Sequence, residues 1–257
     1  MMIPNAYIED EIDEKDWIFG TGDTLGSTVR KGGDWRLFYP KFEMQMKNGL
    51  ETLSCVTFTT LNAIEVLFDQ KYKIKSDFSE RYTAKVSGTT KTGNSPQFVA
   101  QSVRHFGVIP EDVLPFSPDI NTWDEFYSDV PEDLYKMGRG WLGEWVFNHQ
   151  WVPPEKEAML DALTFSPLGV AVHAWREDHG IYYRPDGAVD THLTLLVGGD
   201  DNFWYVFDSY PPYVKKLDKN YTFNRVKRYH IARQSESSFR DRLRQLIDTM
   251  RGLLKIR

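Results

Sequence analysis

Asn48 to Gln70 reads NGLETLSCVTFTTLNAIEVLFDQ and holds the one cysteine of the 257-residue chain, Cys55. From Val56 onward the apolar residues Phe58, Leu61, Ile64, Leu67 and Phe68 recur at three- and four-residue steps, with Val56, Ala63 and Val66 on the other sides. That spacing predicts a helix apolar nearly all round and therefore buried. Cys55 falls in its first turn, where a thiol faces unpaired backbone N–H groups and the positive end of the helix dipole, which favours the thiolate. This is a nucleophile's position. The competing reading is a small inert side chain, because free cysteine is among the residue types most often buried.

Upstream, residues 1–33 open with the acidic run Glu9, Asp10, Glu11, Asp13, Glu14 and Asp16, followed by the glycine-rich GTGDTLGSTVRKGG. With so little periodicity they read as an extended arm on the surface; a cover over a binding groove is the alternative. Residues 34–47, DWRLFYPKFEMQMK, lead into the cysteine helix. Downstream, KYKIKSDFSERY reads as a loop, and Pro96 to His105 as a helix with proline at its start and Gly107 and Pro110 beyond its end. From Trp141 the pattern changes. WLGEWVFNHQWV alternates in a strand-like way, PPEKEAMLDALTF is a short helix, and LGVAVHAW, HLTLLVGG and FWYVFDSY are strands broken by the turns RPDG and GGDDN. A helical half to about residue 140 followed by a β half to about residue 235 predicts an α+β fold of two lobes with a cleft between them. Beyond it, Phe239, Leu243, Leu246, Ile247, Met250, Leu253 and Leu254 share one helical stripe. They predict an amphipathic helix over 236–257 that docks on its own domain or on a protein partner.

A formal charge of −6 argues against a nucleic-acid backbone as the main partner. A lone cysteine cannot close an internal disulfide, which points to a reducing compartment. Neither a signal peptide nor a run near the ~20 apolar residues of a membrane helix is present. The expectation is a cytoplasmic protein, or one in a particle assembled there, with no membrane partner. No His, Cys or Asp cluster has ligand spacing, so neither a metal nor another cofactor is expected.

A thiol nucleophile needs an imidazole to take its proton, a group to orient that imidazole, and donors for the developing oxyanion. Of the six histidines, His105 ends a helix, His149 sits in an aromatic strand-like run, His173 lies in an apolar strand, and His179 and His230 have polar or basic neighbours. His192 opens the strand THLTLLVGG just after a turn, where a side chain can project into a cleft. Sixteen residues on, Asp208 ends FWYVFD. Antiparallel pairing through the GGDDN turn brings the start of one strand beside the end of the other, so Asp208 can reach His192. By itself such a pair can also be purely structural.

Taken in order from Asp34 to about Tyr213, these pieces resemble the papain-like cysteine peptidases. The Asp34-Trp35-Arg36 segment is similar to the start of that family's mature domain. Ser54-Cys55-Val56-Thr57-Phe58 resembles its Ser-Cys-Trp-Ala-Phe, and Phe78-Ser79-Glu80-Arg81 its Leu-Ser-Glu-Gln. Gly93-Asn94-Ser95-Pro96 looks like its substrate-side Gly-Gly-x-Pro loop, and Gly107, Glu111, Pro115 and Phe116 fit its G-x-x-x-E-x-x-x-P-[YF] run. Ser166-Pro167-Leu168 stands for Gly-Pro-Val, and Asp208-Ser209-Tyr210 for Asn-Ser-Trp. His192 follows Cys55 by about 130 residues, as in the family.

The resemblance implies a helical lobe with a central helix, an antiparallel barrel-like β lobe, and a cysteine peptidase acting on peptide or protein substrates. Cys55 would be the nucleophile, His192 the base and acid, Asp208 the orienting group, and Gly93 and Asn94 the substrate-binding edge. The family's oxyanion glutamine lies six residues before its cysteine, where this chain has Gly49. Gln45 is then the first choice for that donor and Asn48 the second, alongside the backbone N–H of Cys55. The long helical pro-segment of secreted members does not fit in the 54 residues before Cys55, so control is expected from the short arm or from a partner. Two rivals stand beside this reading: a weak or inactive papain-like module with a structural or binding role in a larger assembly, such as a virus particle, and the same triad used for acyl transfer or cell-wall peptide cleavage.

Overall fold

The computed structural model describes residues 3–21, 25, 26, 29–236 and 247. A two-stranded ribbon, β1 (Met46–Lys47) and β2 (Leu50–Glu51), precedes the long helix α1 (Cys55–Tyr72). Then come α2 (Glu80–Val86), α3 (Pro96–Phe106), α4 (Trp123–Phe126) and α5 (Glu132–Glu144). The second half holds β3 (Trp145–Val152), α6 (Lys156–Leu163), β4 (Leu168–Val172), β5 (Arg176–Asp178), β6 (Ile181–Tyr183), β7 (His192–Gly199), β8 (Phe203–Phe207), β9 (Val214–Asp218) and β10 (Val226–Arg233). This is the α+β order expected. The second-half strands form one sheet in the order β3-β10-β4-β7-β8-β9-β6-β5, antiparallel except for β6 beside β9.

Helix α1 is buried from Cys55 to Phe68, as its all-round apolar pattern requires. Leu61, Ile64, Leu67 and Phe68 share one core with Leu168, Val170, Leu195, Val197 and Tyr229 of the sheet. Lys73 ends the helix in the left-handed conformation, with its N–H on the Asp69 carbonyl. Helix α3 starts as read, with Pro96 in its first turn and the Ser95 hydroxyl accepting from the Phe98 N–H.

Four expectations change. The KYKIKSDFSERY loop stops at Ser79, whose side chain accepts from the Tyr82 N–H and starts α2; seven residues are too few for helical periodicity to show. The strand expected from Trp141 begins only at Trp145. Trp141 and Trp145 are four apart, a helical as well as an alternating spacing, and both pack on Phe68. Strand β3 is buried along its whole length rather than alternating, because α3, α5 and α6 all pack against it. The arm does not simply lie on the surface, since Ala6 and Tyr7 are buried. Farther along, Trp151 of β3 receives Phe19 N–H and donates to Trp17 O, so the arm also covers that sheet edge. The expected C-terminal helix, Ile247 apart, lies outside the described residues.

Candidate active site

Cys55 heads α1 and is fully buried. Ser54, the residue before it, gives the helix no side-chain cap; its hydroxyl lies 2.6 Å from that of Thr52. The first N–H groups of α1 therefore stay directed at the sulfur's surroundings. His192 opens β7, opposite Val172 of β4. Strand β8 returns antiparallel with Leu195 opposite Phe207, which sets Asp208 beside the imidazole: His192 Nε2 is 2.6 Å from Asp208 Oδ1. Trp175 and Tyr210 flank the ring at centroid distances of 5.9 and 5.6 Å. With Nε2 taken by Asp208, Nδ1 is the nitrogen left for the Cys55 sulfur, and it has no hydrogen-bond partner among the described residues.

The charges alternate through this site. Burial alone would lower the His192 pKa, but the Asp208 carboxylate and the Cys55 sulfur overcome it and raise it to about 10. Burial pushes Asp208 up, yet His192 and Lys215 hold it below its ordinary value. Both its oxygens are saturated. Oδ1 also accepts from the Ser209 N–H at 2.9 Å, and Oδ2 from Lys215 Nζ at 2.6 Å and Trp175 Nε1 at 2.9 Å. A buried aspartate in place of a neutral amide requires a counter-charge, and that requirement is the sequence signal that points to a nearby cation such as Lys215. Trp175 carries no such signal.

Of the two oxyanion candidates, Gln45 is buried between the lobes. Its N–H pairs with Ser209 O, and its Oε1 accepts from the Ser209 hydroxyl at 2.7 Å. Its Nε2 donates to Glu51 Oε1 at 2.7 Å and to Tyr210 Oη at 2.8 Å, so both amide hydrogens are engaged. Glu51 also accepts from the Leu53 N–H and, at 2.5 Å, from the Tyr210 hydroxyl. Asn48 is not brought to the cysteine. It is exposed, and its amide bonds the carbonyls of Pro118 and Ile120, because the left-handed turn at Asn48 and Gly49 that joins β1 to β2 aims it away.

The arm runs through the cleft as an extended strand. Ala6 N–H donates to Thr191 O at 3.2 Å, Asn94 N–H to Ala6 O at 3.2 Å, and Ile8 N–H to Asn94 O at 3.0 Å. The Cys55 thiol meets the same Ala6 oxygen at 3.7 Å. Gly93 and Asn94 thus form a strand-binding edge, and the arm passes so close to Gly93 that a Cβ there would fall 1.9 Å from Ala6 O. The Tyr7 ring packs with Val99, Ala171 and Leu193. The acidic run fastens the arm farther out: Glu9 pairs with Arg225 at 2.8 Å, Asp10 accepts from the Gln97 N–H, and Asp16 from the Gln97 amide. Gln97 in turn accepts from the buried Lys227 at 2.6 Å.

Among the described residues no group of three or more His, Cys, Asp or Glu side chains is placed to hold a metal, and no helix is long and apolar enough to cross a membrane.

No protein-family model matches the sequence, and a sequence search of curated proteins finds no relative. Solved structures do match. The Amb a 11 cysteine protease, a major ragweed pollen allergen, in its proform aligns with a TM-score of 0.57 at 19% identity, over 79% of this chain and 67% of that one. Digestive procathepsin L 3 of the Tenebrio molitor larval midgut aligns at 0.55 and 14%, over 80% and 70%. The Carica candamarcensis cysteine protease CMS1MS2 in complex with E-64 aligns at 0.56 and 16%, over 76% and 95%. The chain has the papain-like cysteine protease fold.

Proposed function

We propose that this protein is a cysteine peptidase, held latent by its own N-terminal arm. The observation that carries the reading is the arm itself, an extended peptide hydrogen-bonded to Thr191 and Asn94 with a carbonyl oxygen against the Cys55 sulfur, beside a linked His192–Asp208 pair. A groove that binds one peptide strand in this way suits another once the arm has left.

A substrate strand would use the same backbone partners, with an apolar or aromatic side chain in the place of Tyr7. The Cys55 sulfur attacks the scissile carbonyl carbon and the carbon–oxygen pair moves to oxygen. The proton held at His192 Nδ1 passes to the leaving nitrogen, the C–N bond breaks, and a thioester remains. Neutral His192 then takes a proton from water as that water attacks the thioester. The C–S bond breaks, the acid leaves, and the sulfur and imidazole regain their starting proton. The Cys55 N–H serves the oxyanion, joined by Gln45 Nε2 when the Glu51 carboxylate swings off it.

The engagement of both Gln45 N–H hydrogens favours a second reading, a catalytically silent module that uses the groove only for binding. The test is hydrolysis of a mixed peptide library, followed by mass spectrometry, with the wild type, Tyr7→Ala and Tyr7→Ala/Cys55→Ser proteins. New cleavages with Tyr7→Ala that vanish with Cys55→Ser support the peptidase. Peptide binding by folded Tyr7→Ala without any cleavage supports the silent module.

A further inference from the structure

Asp208 sits where an uncharged amide would serve to orient an imidazole, and it brings a full negative charge into a site with 1% exposure. If His192 were its only cation, the proton on the imidazole would be held as a counter-ion and could not move freely. The chain supplies a second cation from the next strand. Lys215 of β9 is itself buried, with a relative exposure of 2%. Its ammonium group donates to Asp208 Oδ2 at 2.6 Å, to Tyr210 O at 2.7 Å and to Pro212 O at 2.7 Å. Three hydrogens meet three acceptors, so the group has one orientation. It also lies over the rings of Trp175 and Tyr182 at 5.2 and 5.9 Å.

We propose that Lys215 is a positioning residue of this site, one that neutralises and anchors Asp208 so that His192 can gain and lose its proton during turnover. The inference rests on the cysteine peptidase reading above. With Lys215 in place, the buried group is neutral overall both as Cys55 thiolate with imidazolium and as thiol with neutral imidazole. Without it, only the imidazolium balances Asp208. The proton is then trapped on His192, and the step that needs neutral imidazole, attack of water on the thioester, suffers most. Burial lowers the Lys215 pKa while Asp208 works in the opposite direction. The other titratable groups facing this site are Cys55 from α1, Tyr210 with Glu51 behind it, and Tyr182 from β6, which feels Glu177 and Asp208.

The experiment is a titration of the six histidine imidazoles of the full chain by heteronuclear NMR, with His192 assigned by its loss in His192→Gln. It covers the wild type, Lys215→Met, Asp208→Asn, the double variant and Cys55→Ser, with circular dichroism to verify folding. In Lys215→Met the His192 titration moves up by about one pH unit or more. In Asp208→Asn, where the lysine charge is left unopposed, it moves down. The double variant, neutral at both positions, lies between them and recovers the fold if either single change impairs it. Alongside, on a Tyr7→Ala background, the Lys215→Met enzyme loses kcat through slow thioester hydrolysis while the acylation burst survives. A His192 titration indifferent to Lys215→Met, or identical in Asp208→Asn and the double variant, overturns the proposal. A titration that responds to Lys215 but not to Cys55→Ser, in a protein that cleaves nothing, overturns the peptidase reading instead.

Discussion

Two buried groups of ionisable side chains in this molecule are built on opposite plans. In the β lobe, Lys215, Asp208 and His192 alternate in sign, and every polar atom of Asp208 and Lys215 has a partner. In the helical lobe, Glu43 raises the pKa of Glu65, Glu80 and Glu111, and is itself raised by Asp77 against the pull of Lys41 at 3.1 Å. Burial above all, reinforced by their neighbours' negative charge, pushes all four up, Glu111 to about 7. Glu65 and Glu111 each accept one backbone N–H, from Phe78 and Phe116, and Glu111 Oε2 has no partner among the described residues. The first group is poised to keep its charges and the second to keep its protons. One suits chemistry that moves a proton between fixed charges; the other stabilises the fold only while it stays protonated.

The sharpest way to break this contrast is at the sulfur and the imidazole. Cys55→Ser or His192→Ala in a Tyr7→Ala background is expected to remove peptide hydrolysis by at least ~10³-fold, read by single-turnover assay, with little change in Tm for Cys55→Ser and a lowered Tm for His192→Ala, which removes a buried partner of Asp208. Asp208→Ala comes next. It strands Lys215 in the interior and should cost about 3–5 kcal/mol in urea unfolding, whereas the paired Asp208→Asn/Lys215→Met change should cost far less. A cost for the double variant as large as for Asp208→Ala would remove the distinction between the two groups.

Tyr7→Ala removes a buried aromatic from the arm, worth about 2 kcal/mol of burial. That weakens arm closure by about 30-fold, so iodoacetamide labelling of Cys55 should accelerate by about that factor. Unchanged labelling would mean that the arm does not shield the thiol.

The helical-lobe group sets the sign of the pH dependence. Its folded carboxyls retain protons that unfolded glutamates, at an ordinary value of 4.5, have lost. Stability from this source is therefore greatest below about 4.5 and falls as pH rises through the folded values, about 7 for Glu111. The β-lobe group runs the other way at its acid edge. Asp208, held below its ordinary 3.8, loses its contribution only as pH falls through its lowered value. The His192 contribution is complete below 6.5 and lost as pH rises through about 10. All three contributions are complete together only between about pH 3.8 and 4.5, so maximum Tm is expected near that range, with a decline above it that steepens past 6.5. Glu80→Gln should flatten the decline above that window and add about 1 kcal/mol at pH 8, about 2–4 °C in Tm. The smallest effect belongs to Glu9→Gln, which removes a largely exposed pair with Arg225 and should change Cys55 labelling by no more than a few-fold.

Much of this was legible from residue order. All-round apolar spacing after Cys55 announced a buried helix, because a helix can hide every face only inside a core. The alternation and turn signals from Leu168 to Tyr210 announced the strands, and a two-strand reversal brought His192 to Asp208. Short-range rules fell short at α2, where a cap rather than periodicity starts the helix, and at Trp141, where one spacing serves two structures. The oxyanion side was open to sequence reading only as a choice between Gln45 and Asn48, and the ribbon turn decides where each amide points.

What the sequence determined alone was whatever depends on neighbours along the chain: the central helix, its cysteine at the first turn, the main strands and the α-then-β order. Tertiary structure decided the rest. Ala6 had to meet a cysteine 49 residues on to cover it, and Gln45 to meet Ser209, 164 residues away, to be fixed beside the site. Glu51 on Gln45 and Lys215 on Asp208 are only six and seven residues apart, but the pairing of β1 with β2 and of β8 with β9 decides that they meet. The physical reason is that a buried charge or an open strand edge must be matched by some partner, and only the folded chain specifies which one.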